Sequence, residues 1–210
     1  MGRYTGPLCK LCRREGVRLF LKGDKCFSQG CILNKKAYPP GKVSKFLKKP
    51  TEYALQLREK QKLKRYYGLY ERQFRKFFAL ATKHKGVTGE MLLQYLERRL
   101  DNVIYRAGFA QSRRTARQLV SHGHVYVNGK RVTIPSYIVK VNDEIELSSS
   151  AKVFDNVVKS IEASVNRVIP SWLEVDNSKV SVKVTAIPTR QEMNIDIEVN
   201  EQLVVELYSK

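Results

Sequence analysis

The sequence predicts an α+β fold, in which a helical domain carries an inserted module of short helices and a small antiparallel sheet. Three observations lead there. Apolar residues recur every three or four positions between residues 51 and 107 and again over 151–168. From Val125 the period drops to two, with turn dipeptides between short apolar runs. All four cysteines precede residue 32, in a stretch rich in Gly, Pro and Lys that has no helical period.

Residues 1–45 form the first segment, a knuckle followed by extended basic chain, closed by the turn Tyr38-Pro-Pro-Gly41. Cys9 and Cys12 make one close pair, and Cys26 and Cys31 a second after a 13-residue loop. Each pair can span one edge of a tetrahedron, which suits Zn²⁺. The segment has little apolar mass, so a structural ion would replace a core and contribute on the order of 10 kcal/mol of folding free energy. Lys10, Arg13, Arg14, Arg18, Lys22 and Lys25 surround the sulfurs and would offset four thiolates. The residues leave two alternatives open: free buried thiols, and an iron–sulfur cluster, whose usual ferredoxin spacings are not these. The expectation is a zinc knuckle with Cys9, Cys12, Cys26 and Cys31 as its ligands.

The helical domain covers residues 46–92 and is joined by 198–210. Thr51 caps a helix that puts Arg58, Lys62 and Arg65 on one face, with Lys64 nearby. Tyr67-Gly68 interrupts it. A second helix starts near Glu71, with Phe74, Phe77, Phe78 and Ala81 in one stripe. After Lys85-Gly86, Thr88 caps a third helix along which Leu92, Leu96, Leu100, Val103 and Ala107 recur. Asn200 caps a last turn or two, Glu201 to Tyr208.

The inserted module, with a strand-rich extension, covers residues 93–197. Gly108 ends the third helix and Ser112 caps a fourth, from Arg113 to Val120. Arg113 and Arg117 lie one turn apart and project together, while Ala116, Leu119 and Val120 face the preceding helix. The helix N-terminus adds unpaired N–H groups and positive dipole, which favour phosphate. Few acids lie close in sequence, so this basic face reads as open rather than ion-paired. Gly123 gives a sharp exit, and His122 and His124 on either side read as turn residues and not as metal ligands. Val125 to Val127, Asn128-Gly129 and Arg131-Val132 read as a hairpin with a primed turn that presents Lys130 and Arg131. Tyr137 to Val141 and Glu144 to Leu147 read as a second strand pair around Asn142-Asp143. Residues 151–168 read as a helix on Val153, Val157, Ile161 and Val165, and Trp172 to Val175 and Val180 to Ala186 as strands.

Charge points to the partner. The chain carries 39 Lys and Arg against 20 Asp and Glu, a net charge of +19. Residues 1–100 hold 25 basic and 7 acidic side chains, whereas residues 151–210 hold 7 and 9. So one-sided a distribution is the footprint of a polyanion, with RNA or DNA the commonest. No apolar run approaches the ~20 residues of a membrane span. The opening Met1-Gly-Arg-Tyr-Thr-Gly has no apolar signal core, so the chain reads as soluble and not secreted, with its thiols suited to a metal rather than to disulfides.

SRRTARQLVSHGHVYVNGKRV, followed by IPS, resembles the S-four RNA-binding module, which a ribosomal protein shares with some RNA-modifying enzymes and synthetases. LREKQKLKRYYGLYERQF, KGVTGEMLLQYLERRLDNVIYRAGF, SWLEV and NEQLVVELYSK are similar to the bacterial-type S-four ribosomal protein family. GRYTGPLCKLCRREG with the later CFSQGC resembles that family's zinc-bearing form. The resemblance covers essentially the whole chain. Two departures stand out: Gly41 is followed by a short run, Lys42 to Lys49, without the family's usual His, and Tyr70 replaces a capping Ser.

The resemblance implies a structural constituent of the small ribosomal subunit, not an enzyme, on a cytoplasmic or organelle ribosome. It implies binding to a junction in the 5′ domain of small-subunit rRNA early in assembly. The implied neighbours are ribosomal protein S-five and messenger RNA where it enters the subunit, with a part in decoding accuracy. Some family members also repress their own translation. The residues expected on RNA are Arg3, Tyr4, Arg13 and Arg14 near the N-terminus, then Arg58, Lys62, Lys64 and Arg65. In the module they are Arg113, Arg114, Arg117, His122, His124, Lys130 and Arg131. The rival readings are an RNA-modifying enzyme with the same module, whose catalytic domain the short flanks leave no room for, and a DNA-binding zinc protein. The latter would need a recognition helix between its ligand pairs.

Overall fold

The computed structural model describes residues 4–41, 49–148, 151–163 and 167–209. Arg3, residues 42–48 and Val165 lie outside these, as does the Val153 side chain. The chain forms two compact units, Met1–Leu92 with Ile195–Lys210, and Leu93–Asn194.

The first unit opens with a helix that its composition did not announce. Helix α1 (Leu8–Glu15) carries both Cys9 and Cys12. Pro7 stands at its N-cap and Gly16 ends it in the left-handed conformation, φ 71°. A short 3-10 turn (Gly23–Cys26) and α2 (Ile32–Lys35) follow. In α3 (Glu52–Tyr66), Thr51 Oγ1 accepts the Ala54 N–H as expected. Helix α4 (Glu71–Ala81) buries Phe74, Phe77 and Ala81, and Tyr70 at its N-cap makes no side-chain cap. Helix α9 (Glu201–Ser209) starts with the Leu203 N–H donating to Asn200 Oδ1 at 3.3 Å. It packs along α3, where Gln56 Nε2 donates to Glu206, and its Tyr208 ring lies 4.5 Å from that of Phe78.

The long third helix expected from residue 88 to 107 is two helices, α5 (Thr88–Glu97), whose residues run from the first unit into the second, and α6 (Leu100–Arg106) in the second. Arg99 between them is extended, ψ 137°, and bridges to Ile138. The Leu100 N–H donates to the Tyr137 carbonyl at 2.8 Å, and the Val139 N–H to that of Arg98 at 2.9 Å. The apolar repeat runs on through the break because α6 is buried along its whole length, so its apolar residues fall inside at any phase. The break also corrects a second expectation. Residues 137–139 pair with Arg98–Leu100, so they form no strand pair with Glu144–Leu147.

The remainder of this unit is built as a sheet. Strand β1 (Val125–Val127) and β2 (Lys130–Arg131) make the expected hairpin, with Asn128 and Gly129 at φ 51° and 72°, the primed turn. Helix α8 (Ala151–Ala163) separates β3 (Glu144–Leu147) from β4 (Leu173–Asp176) and β5 (Ser181–Val184). All neighbours are antiparallel in the order β2-β1-β3-β5-β4. One face of the sheet closes over a core of Trp172, Phe109, Val125, Ile145 and Val182, joined by Val157 of α8.

Candidate nucleic-acid interface

The most basic helix of the second unit is α7 (Arg113–Ser121), where Ser112 Oγ accepts the Thr115 N–H. Its arginines divide into two kinds. Arg113 and Arg117, expected on an open face, are each 8 % exposed and lie against α6. Arg113 Nε donates to Asn102 Oδ1 at 2.7 Å, and its guanidinium lies 4.3 Å from the centre of the Tyr105 ring. Arg117 reaches within 4.0 Å of Asp101. The acid and amide partners stand on the preceding helix, which a count of charges beside α7 does not see. They belong to a larger buried set. Arg99 donates twice to Asp101, and Glu97 accepts from Asn102 and from both Nε and Nη2 of Arg106. Breaking one partner of such a set leaves an uncompensated buried charge.

The exposed kind is what remains outside. Arg114 projects into solvent from the first turn of α7, and Lys130 from the hairpin. Arg131 is exposed yet held, because its Nη2 donates to the His122 carbonyl at 3.3 Å. Gly123 has φ +77°, and a Cβ there would land inside the Arg131 guanidinium. The backbone conformation therefore favours glycine, and any side chain there would also push the Arg131 guanidinium aside. His122 is exposed and His124 half-buried. The structure thus gathers Lys130, Arg131 and His122 around one turn, leaves Arg114 exposed at the other end of α7, and withdraws Arg113 and Arg117 into the support of that helix.

In the first unit the predicted cations are mostly paired. Arg58 and Arg65 both reach Glu15, whose side chain is 1 % exposed. Burial raises the Glu15 carboxyl, against the pull of Arg65 and Arg58. Lys62 pairs with Glu59 at 2.6 Å, and Lys60 and Lys64 both donate to Glu71 at 2.9 Å. Desolvation alone would raise the Glu71 carboxyl, but hydrogen bonds from Lys60, Lys64 and Tyr208 outweigh it and hold it at about 2. Arg13 donates to the Tyr38 and Pro39 carbonyls and lies over the Tyr38 ring. Arg14 and Tyr4 are exposed, while Arg3 is outside the described residues. A set the sequence reading missed is Arg72 and Lys76, exposed on α4 opposite the buried Phe74 and Phe77. Their four-residue spacing is the signal that would have found them.

The four cysteines form no disulfide, with Cys12, Cys26 and Cys31 buried and Cys9 half-buried. Burial pushes the Cys12 thiol up to about 11, with the other three sulfurs adding to the rise. The Lys22 N–H lies 3.4 Å from Cys26 Sγ, as a donor. The donor set has the chemistry for a thiophilic ion. Among the described residues, however, no group of three or more His, Cys, Asp or Glu side chains is arranged to hold one.

Comparison with known proteins fixes the kinship. Residues 3–97 match the Ribosomal protein S4/S9 N-terminal domain, and residues 98–145 the S4 domain. Relatives named small ribosomal subunit protein uS4 align over the full length of both chains. Those of Acetivibrio thermocellus and Dictyoglomus turgidum are 54 % identical, and that of a Thermoanaerobacter species 52 %. The chain belongs to the uS4 family. That family is a structural part of the ribosome and not an enzyme, as the sequence led us to expect. In this uS4 family member, α8, β4 and β5 lie beyond the S4 domain match. Among the described residues, no helix is long and apolar enough to cross a membrane.

Proposed function

We propose that this chain is a structural constituent of the small ribosomal subunit that holds ribosomal RNA by phosphate charge and helix shape. The observation that carries this reading is the turn where Arg131 is fastened over Gly123 beside exposed Lys130, at the end of a helix whose first turn exposes Arg114. Guanidinium forks kept in place lose little freedom on meeting phosphate, and they suit the outline of an RNA junction. Membership of the uS4 family gives the RNA its source. The test is binding of the full chain to a 5′-domain rRNA transcript across a salt series. Replacing Arg114 and Arg131 together by Glu should weaken binding by orders of magnitude and flatten the salt dependence. Unchanged binding by that variant overturns the surface.

The finer parts of the reading extend from the same surface. Tyr4 and Arg14 near the N-terminus, and Arg58, Lys62, Lys64 and Arg65 on α3, serve as a second set of RNA contacts, the last four after exchanging Glu15, Glu59 and Glu71 for phosphate. Early binding would nucleate assembly, with ribosomal protein S-five and incoming messenger RNA as neighbours in a cytoplasmic ribosome. Zinc on Cys9, Cys12, Cys26 and Cys31 is the second part of the proposal. It is supported by the thiol set and by the scarcity of apolar core around it, and it requires the sulfurs to draw together on the ion. Metal analysis of the purified chain decides it: one zinc per chain is expected, and a metal-free chain with a folded N-terminus ends it.

A further inference from the structure

A cavity of about 310 Å³ lies in the second unit between α7 and α8. Helix α8 stands outside both family matches, so the matched S4 domain alone does not make this cavity. Its floor is apolar, from Leu119 and buried Val157, with the buried Ser160 hydroxyl beside them. The Gln118 amide, the two imidazoles of His122 and His124 and the exposed Lys159 line the rest. The ring centres are 6.2 Å apart and the planes are inclined by 47°. They make a corner and not a sandwich, so a planar ligand stacked on one ring turns its edge towards the other.

We infer that this cavity receives one unstacked nucleobase of the bound RNA. The inference rests on the RNA-binding reading above and adds a site to it. The volume sits at the small end of ligand clefts, ~300–1,000 Å³. It has room for one base. Bases that proteins read in RNA are splayed out of the stack, laid on aromatic or imidazole faces and hydrogen-bonded along their edges. A glutamine amide offers a donor and an acceptor side by side, the pattern a base edge matches. One cation at the mouth, Lys159, fits the single phosphate that follows such a base.

Nuclear magnetic resonance of the full chain tests this, with the imidazole signals followed during titration with uridine 5′-monophosphate, adenosine 5′-monophosphate or inorganic phosphate. The nucleotides should move the signals of His122 and His124 together, while phosphate, drawn to Arg131 beside the His122 carbonyl, leaves the His124 imidazole in place. Equal movement with phosphate, or none with any of the three, overturns the inference. A second arm measures rRNA binding by Gln118→Ala and by His124→Ala. Gln118 is exposed, so its loss spares the fold even where that of half-buried His124 does not. Each should weaken binding about tenfold, the worth of a stacked base for His124 and of the edge hydrogen bonds for Gln118, with an unchanged salt slope because no phosphate contact is lost. Unaltered affinity in both variants, or a loss with a flatter slope, overturns it. So does loss of a neighbouring ribosomal protein from the particle at unaltered RNA affinity, which would put a peptide in the cleft. Wild-type chain that ignores rRNA sinks the RNA reading itself, whereas variants that bind as tightly as wild type sink only the cavity.

Discussion

The stretch before Gly41 and the sheet-bearing unit reach order by opposite means. The first buries little besides Cys12, Leu19, Cys26 and Cys31, and its surface is crowded with cations. The second encloses a continuous apolar cluster around Trp172, Phe109 and Ile145, and spreads a layer of buried ion pairs beneath α7. What differs is the source of the cohesion. An apolar interior holds its shape with no cofactor, whereas on the zinc proposal the short thiol-bearing segment leans on the ion its sulfurs bind.

The largest expected effect separates the two directly. Chelation, or Cys12→Ser with Cys31→Ser, should remove on the order of 10 kcal/mol of ion-dependent folding energy from the first segment. Amide exchange would then show residues 8–35 losing protection while the sheet strands keep theirs. Retained protection at 8–35 would place the cohesion elsewhere. Next comes Glu97→Ala. It takes the buried carboxylate away from the Arg106 guanidinium and the Asn102 amide and should cost ~3–5 kcal/mol of stability, read by denaturant unfolding of the sheet-bearing unit. Arg113→Glu should act the same way, as an unfolding variant and not as a clean loss of RNA contact, because its partners are Asn102 and Tyr105.

Smaller effects test the helix ends and the ion pairs. Ser112→Ala should cost ~1 kcal/mol, and Tyr70→Ser should return a similar amount by installing the missing cap. Glu71 contributes a pH dependence of known sign. Its carboxyl is held at about 2 in the fold, against an ordinary value of 4.5. The stabilisation is complete above 4.5 and is lost as the pH falls through about 2. Wild type should therefore outlast Glu71→Gln in thermal melts at neutral pH, with the gap closing under acid. A gap that widens instead would reverse the assignment of Lys60 and Lys64 as its partners.

Local chemistry was the legible part. Thr51, Ser112 and Asn200 cap as their positions dictate, Asn128-Gly129 makes the primed turn, and the α+β class follows from the change of period. Partners distant in sequence were not legible. The break at Arg99 needs residues 137–139 to pair with it, and nothing in the apolar repeat marks that. Arg113 and Arg117 look open until α6 brings Asn102 and Asp101 beneath them. Helix α1 could have been found from Pro7 and Gly16 had its cysteines not drawn the eye to a knuckle.

The seating of α9 on α3 bears on how the chain is made. The unit whose synthesis begins first is completed last, since its closing helix arrives only after the whole intervening module has been translated. During that interval the sheet-bearing unit has all its own residues in hand and can fold ahead of its elder neighbour. The face of α3 that awaits α9 stays open to solvent and to chaperones for as long as the module takes to emerge.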